Sequence, residues 1–228
     1  MMPATLSRRD WRPLKPRSGR RPAAVTDPVL EPFWSGLRVL AHFDAQPDSG
    51  QPPGLALIDE AGEDATRIAP AAADALRNSV MALEAVIDGV LTVQPNLGSA
   101  GTALVGEARV PGMSMVLPRA PQVVYERQLP AHAADADIAF VAVDLLSVDN
   151  QPLLDLPLLE RRRHLDGLFI ENHLLRLSPV VRPPIGPWLS SWQAAGFVGL
   201  VMKAANSRYR PGEQTLDWVV VRRGLQRT

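Results

Sequence analysis

The sequence predicts an α+β domain, on three observations. Several short stretches alternate apolar and polar residues with the period of two expected of a half-buried strand. Two other segments carry apolar residues at spacings of three and four, the period of a helix face. The two kinds of segment are interspersed without a regular strand–helix–strand repeat, which disfavours a doubly wound parallel sheet. With 228 residues, 46% hydrophobic and 21% charged, the chain is large and apolar enough for one packed core.

The elements follow in order. Residues 1–24 read as a basic, disordered tail: Arg8, Arg9, Arg12, Lys15, Arg17, Arg20 and Arg21 face a single acid, Asp10, in a Pro-containing stretch without apolar periodicity. Such an arm on an otherwise acidic body suits phosphate contacts with nucleic acid, or else is simply solvated. Residues 25–228 read as the folded domain. Leu37, Val39, Ala41 and Phe43 alternate with Arg38, Leu40 and His42, as in a strand. Residues 70–84 read as a helix, with Pro70 at its start and Leu76, Val80 and Leu83 on one face. Residues 86–93 form a strand, 94–122 loops with short strands, and 140–146 a strand that ends at a turn on Asp149 and Asn150. A long helix is expected from an N-cap at Asp155 to about Leu177, carrying Arg161, Arg162 and Arg163 on a solvated face. A short helix at 186–195 leads to strands at 197–203 and 216–222.

Composition excludes several chemistries. The chain has no cysteine, so disulfides, thiolate nucleophiles and iron–sulfur clusters are ruled out. His42, His132, His164 and His173 show no metal-ligand spacing. No apolar run reaches the length of a membrane span, and no secretory signal is evident, so a cytoplasmic location without membrane contact is expected. Of the 24 basic residues only Lys15 and Lys203 are lysines. Arginine stays protonated, so a nucleophilic lysine has two candidates at most.

Four segments, in order, resemble the adenylation (nucleotidyltransferase) domain of bacterial ATP-dependent DNA ligases. Glu31-Pro-Phe-Trp-Ser-Gly-Leu-Arg38 is similar to motif I, Glu-x-Lys-Trp-Asp-Gly-x-Arg. Val86-Ile-Asp-Gly-Val90 is similar to motif III, where Asp-Gly precedes Glu. Phe140-Val-Ala-Val-Asp-Leu-Leu146 and the following Leu154 to Arg162 resemble motif IIIa and its helix. Gly196-Phe-Val-Gly-Leu-Val-Met-Lys203, with Asp217-Trp-Val-Val-Val-Arg222, resembles motifs IV and V. The resemblance implies an ATP-grasp-like fold of antiparallel sheets with flanking helices. It also implies adenylyl transfer: a motif I lysine attacks the ATP α-phosphate, carboxylates of motifs III and IV serve metal and ribose, and motif V lysines bind phosphate.

This chain departs from the pattern where the chemistry resides. The nucleophile position holds Phe33 and the motif I aspartate position Ser35. The carboxylate positions of motifs III and IV hold Val90 and Val198, and the first motif V lysine position holds Val220. No catalytic residue is therefore expected. Glu31, Arg38, Asp88, Lys203 and Arg222 remain as the polar set of a vestigial nucleotide pocket. ATP or AMP held without a covalent bond is the cofactor left open, and magnesium is disfavoured because its carboxylates are gone. An OB-fold domain, which follows motif V in the family, is not expected within these residues. The sequence thus favours a degenerate adenylation domain with a binding or scaffolding role linked to DNA repair. A divergent ligase or nucleotidyltransferase completed by a partner chain stands as an alternative, as does a nucleic-acid-binding module working through the basic tail.

Overall fold

The architecture comes from a computed structural model, which describes residues 8–19, 25–45, 54–93, 129, 135–184 and 186–222. Among the described residues ten strands form two sheets. The smaller contains β1 (Lys15–Ser18), β2 (Pro28–Pro32), β9 (Gly199–Ala204) and β10 (Gln214–Arg222), in the order β1-β10-β9-β2. The larger contains β3 (Leu37–Asp44), β4 (Gly54–Asp59), β5 (Glu84–Thr92), β6 (Ala139–Val148) and β7 (Gln151–Pro152), in the order β4-β3-β5-β6-β7; β8 (Leu175–Leu177) adds to β6. Pairing is antiparallel except for β1 with β10 and β8 with β6. Among the described residues three helices flank the sheets: α1 (Pro70–Ser79), α2 (Leu158–Asp166) and α3 (Gly186–Ala194).

The period-two pattern gives the larger sheet two buried faces. Val39, Ala41, Ile87 and Leu91 pack with Ala72, Ala73 and Leu76 of α1 on one side. Leu40 and Val86 point the other way and cluster with Val29 and Trp218 of the smaller sheet, while Val90 faces Val201 and Val220 across the inter-sheet cavity. The charged residues of the candidate site lie between the two sheets.

Two glycines of the motif words are fixed by close approach. Gly36 sits at φ +149°, where a Cβ would collide with the Leu91 carbonyl oxygen, and a Cβ on Gly89 would enter the Phe140 ring. A bulge in β6 also matters: Asp88 pairs with Asp144 but Gly89 with Ala142, so Val143 is left out of the ladder. An unpaired bulge residue offers its carbonyl to side chains, and Val143 O accepts from both Lys203 Nζ and Arg162.

The predicted helix at 70–84 ends at Ser79. Val80 is extended, and Leu83, expected on the buried face, is exposed, its amide donating to Asp149 at the start of β5. The long helix predicted from Asp155 to Leu177 is only α2. Pro157, not Asp155, occupies the N-cap, Gly167 ends the helix, and Asn172 caps the turn into β8. Arg161 and Arg162 are buried rather than solvated. Short β1, β2, β4, β7 and β8 lacked a periodic signal long enough to read.

The expectation of a disordered tail fails for residues 8–18. Trp11 and Leu14 are buried against Leu40, Val86, Tyr209 and Trp218. The Leu14 amide donates to Tyr209 Oη at 2.8 Å, and β1 adds a strand to β10. Two apolar side chains and a strand's hydrogen bonds outweigh the repulsion among the cations, most of which stay at the surface. Leu14→Ala is expected to cost about 2–5 kcal/mol, the range for deleting a fully buried Leu side chain; the urea midpoint measures it, and an unchanged midpoint would show that the segment is dispensable.

Candidate functional site

Between the sheets, β2 and β9 carry Glu31 and Lys203. The Lys203 ammonium donates to Glu31 Oε1 at 2.6 Å with both side chains 2% exposed. It also lies 4.0 Å from the Trp218 ring centroid, its direct cross-strand neighbour on β10. Burial pulls the Lys203 pKa below its usual value, and Glu31 and Asp144 oppose that shift.

A second pair lies beside the first. Arg38 on β3 forms a bidentate fork with Asp88 on β5, Nε to Oδ1 at 2.5 Å and Nη2 to Oδ2 at 2.6 Å. Burial by itself would lower the Arg38 pKa, but the Asp88 carboxylate outweighs it and holds the guanidinium above its usual value. Tyr209 Oη donates to Asp88 Oδ2 at 2.6 Å, and burial together with the adjacent carboxylate pushes the phenol well above 10. Asp88 therefore accepts from two residues, and Tyr209 links it to the N-terminal segment.

A third pair was not singled out from the sequence. Asp144 on β6 takes a bidentate fork from Arg161 of α2, at 2.9 and 2.8 Å, with both side chains fully buried. Arg161 donates further to the Leu156 and Ser207 carbonyls. The signal available was the Asp within the apolar word 140–146, because a carboxylate buried in a strand demands a cation.

The structure brings most of the sequence-predicted residues together. A cavity of about 40 Å³ is lined by Glu31, Phe33, Arg38, Val90, Lys203 and Val220, with Pro16 of β1 at its edge. Phe33 follows β2, and the Arg222 guanidinium sits 4.7 Å from its ring centroid. Ser35 is buried beside it, its carbonyl accepting from Thr92. Val198 lies just outside β9 and does not line the cavity. The cavity has room for no more than a few water-sized groups, against the several hundred Å³ of a typical ligand pocket. The residues as arranged therefore do not fit an adenine nucleotide. Among the described residues no group of three or more His, Asp or Glu is placed to hold a metal ion.

The basic residues expected to form a DNA-binding tail are dispersed. Arg8 pairs with Glu84 at 3.0 Å, and Arg12 donates to the Arg9 and Trp11 carbonyls. Arg9, Lys15 and Arg17 are exposed, and Arg20 and Arg21 lie outside the described residues. No helix among the described residues is long and apolar enough to cross a membrane.

Two stacked sheets enclosing charges carried on β2, β3, β5 and β9 define the fold class of DNA ligase adenylation domains. The model of the ATP dependent DNA ligase domain matches residues 61–221, and the chain belongs to that family. It is 26% identical to DNA ligase C1 of Mycolicibacterium smegmatis over 90% of this chain, and 24% identical to a DNA ligase of Thermococcus onnurineus over 92%. The chain spans 55% and 36% of the length of those two proteins. The fold matches the ligase domain of M. tuberculosis LigD with a TM-score of 0.61 at 21% identity, covering 95% of this chain and 61% of that one. It matches the ATP-dependent DNA ligase of bacteriophage T7, solved with ATP, with a TM-score of 0.53 at 14% identity, covering 92% and 68%.

Proposed function

We propose that this chain is a ligase-type adenylation domain without covalent chemistry, acting as a binding or scaffolding protein in DNA repair. The observation that carries the reading is Phe33 at the nucleophile position, capped by Arg222 over a cavity of about 40 Å³. A lysine nucleophile loses its proton and attacks phosphorus; a phenyl ring does neither. Lys203 does not replace it, because its ammonium is committed to Glu31.

The replacements read as a concerted change. Removing the lysine alone would strand buried carboxylates without a cation, at about 3–5 kcal/mol per broken pair. Replacing charges on both sides by Phe33, Val90 and Val220 instead fills the space with apolar volume, which is neutral or stabilising. The pairs that remain, Lys203 with Glu31 and Arg38 with Asp88, are balanced one to one.

Incubation with α-labelled ATP and magnesium is expected to leave no acid-labile adduct on the chain. An adduct would support the divergent-enzyme alternative and overturn this reading. Phe33→Lys alone is expected to remain unlabelled, since Val90 and Val198 still stand at the carboxylate positions; labelling would show those carboxylates to be dispensable. Non-covalent ATP or AMP, which the sequence leaves open, requires Phe33 and Pro16 to move. Saturable ATP binding by equilibrium dialysis would show that they do.

The exposure of Arg9, Lys15 and Arg17 supports a second reading, contact with DNA through this edge. Lys15→Glu with Arg17→Glu is expected to weaken DNA binding and flatten its salt dependence by about one to two counterions. An unchanged affinity would remove that reading.

A further inference from the structure

Strand β1 has two sides with different surroundings. Pro16 lies at the edge of the inter-sheet cavity, whereas Lys15 and Arg17, on either side of it in the chain, are exposed. Alternation along a strand puts the two cations on one side, about 6.5 Å apart. Neither forms an ion pair among the described residues. The nearby acids leave them unneutralised: Glu213 pairs with Arg210 at 4.0 Å, and Asp217 pairs with neither.

The strand is also held less firmly than the residues before it. Leu14 is fully buried, and its amide is fixed on Tyr209 Oη. Beyond Leu14 the chain runs along the sheet edge on backbone hydrogen bonds. Lys15 N–H donates to the Glu213 carbonyl and Gly19 N–H to the Val220 carbonyl, each at 2.9 Å. The side chains of residues 15–18 are exposed or half-buried, and their register against β10 breaks between Pro16 and Arg17. A segment with so few buried contacts opens at a lower free energy than the core.

We propose that β1 is a strap whose outer side binds the phosphate backbone of DNA and whose inner side closes the inter-sheet cavity, so that DNA binding holds the cavity shut. The inference rests on the reading of this edge as a DNA contact. The strap lifts from Lys15 to Gly19, hinged at Leu14. Only as an ordered strand do Lys15 and Arg17 present their charges side by side to neighbouring phosphates. A lifted strap has to be reordered first, which weakens binding. By linkage, DNA favours the closed strap by the same factor as closure favours DNA. The DNA-bound chain is then the form with Pro16 in place at the cavity.

The test combines amide hydrogen exchange, followed by NMR on the full chain, with binding of a short fluorescein-labelled DNA duplex. The Lys15 and Gly19 amides donate towards β10, so DNA on the outer side does not cover them. Both are expected to be less protected than the Leu14 amide in the free chain. Both are expected to slow about tenfold or more at a DNA concentration of about 100 Kd, the limit being about a hundredfold if only the closed strap binds. Gly19→Ala keeps both cations, but its Cβ would meet Val219 Cγ1 at 2.4 Å, which loosens the strap. That variant is expected to speed exchange at Lys15 and to weaken DNA binding, with the salt slope unchanged because no cation is lost. Absence of DNA binding by the natural chain removes the DNA reading, and this inference with it. DNA binding that leaves exchange at Lys15 and Gly19 unchanged, protection there equal to that of Leu14, or undiminished DNA affinity in Gly19→Ala overturns the strap alone.

Discussion

Lys203→Met is expected to lower stability by about 3–5 kcal/mol, because it leaves the Glu31 carboxylate, 2% exposed, without its cation. The double variant Glu31→Leu with Lys203→Met is expected to recover most of that loss, since it removes both charges and leaves apolar volume between Trp218 and Val201. The informative quantity is the coupling energy from the cycle of single and double variants, read from chemical denaturation. If the double variant is as unstable as the sum of the singles, the pair is not an isolated buried couple. The outcome also bears on function. A lysine whose removal is tolerated only when Glu31 goes with it is part of the packed interior, not a phosphate ligand held in reserve.

Asp144→Ala is expected to be comparably damaging. It removes both carboxylate contacts of Arg161 and leaves a fully buried guanidinium with two carbonyls and the Tyr209 ring but no counter-charge from Asp144. A loss of about 3–5 kcal/mol is expected, which in a chain of this size lowers Tm by roughly 6–20 °C. The contrast is two positions further along the same helix. Arg163 pairs with Glu160 but is 74% exposed, so Arg163→Ala is expected to change stability by less than about 0.5 kcal/mol. Equal effects at Asp144 and Arg163 would show that burial does not govern these arginines.

That contrast marks where local reading of the sequence stops. Arg161, Arg162 and Arg163 look alike in a sequence, and a run of cations is ordinarily solvated. Only the placement of α2 against β6 puts the first two inside, one on Asp144 and the other on the carbonyls of Val143 and Ser178. The N-terminal segment misleads in the same way. Its cations dominate the composition, whereas Trp11 and Leu14 decide its fate by packing on residues some 200 positions away. The helix expected to reach Leu177 fails for a local reason, because Gly167 and Asn172 break it before β8.

The candidate site was more legible, because its residues lie in motif words on strands. Glu31, Arg38, Asp88 and Lys203 come together between the sheets, and the phenyl ring at position 33, where the resemblance places a lysine, is read directly from the sequence. The pairings of the four charged residues are not. Glu31 binds Lys203 across 172 positions and Arg38 binds Asp88 across 50, so each pairing depends on strand order and register.

The sequence by itself determined the strand and helix periodicities and the absence of a lysine at position 33. Each is a property of one residue or of a short repeat. The tertiary structure alone decided which carboxylate neutralises which cation, that the β6 bulge turns the Val143 carbonyl towards Lys203, and that the basic N-terminal segment folds over the sheet. These outcomes depend on desolvation and on contacts between distant strands, so their energies exist only once the sheets have closed around them.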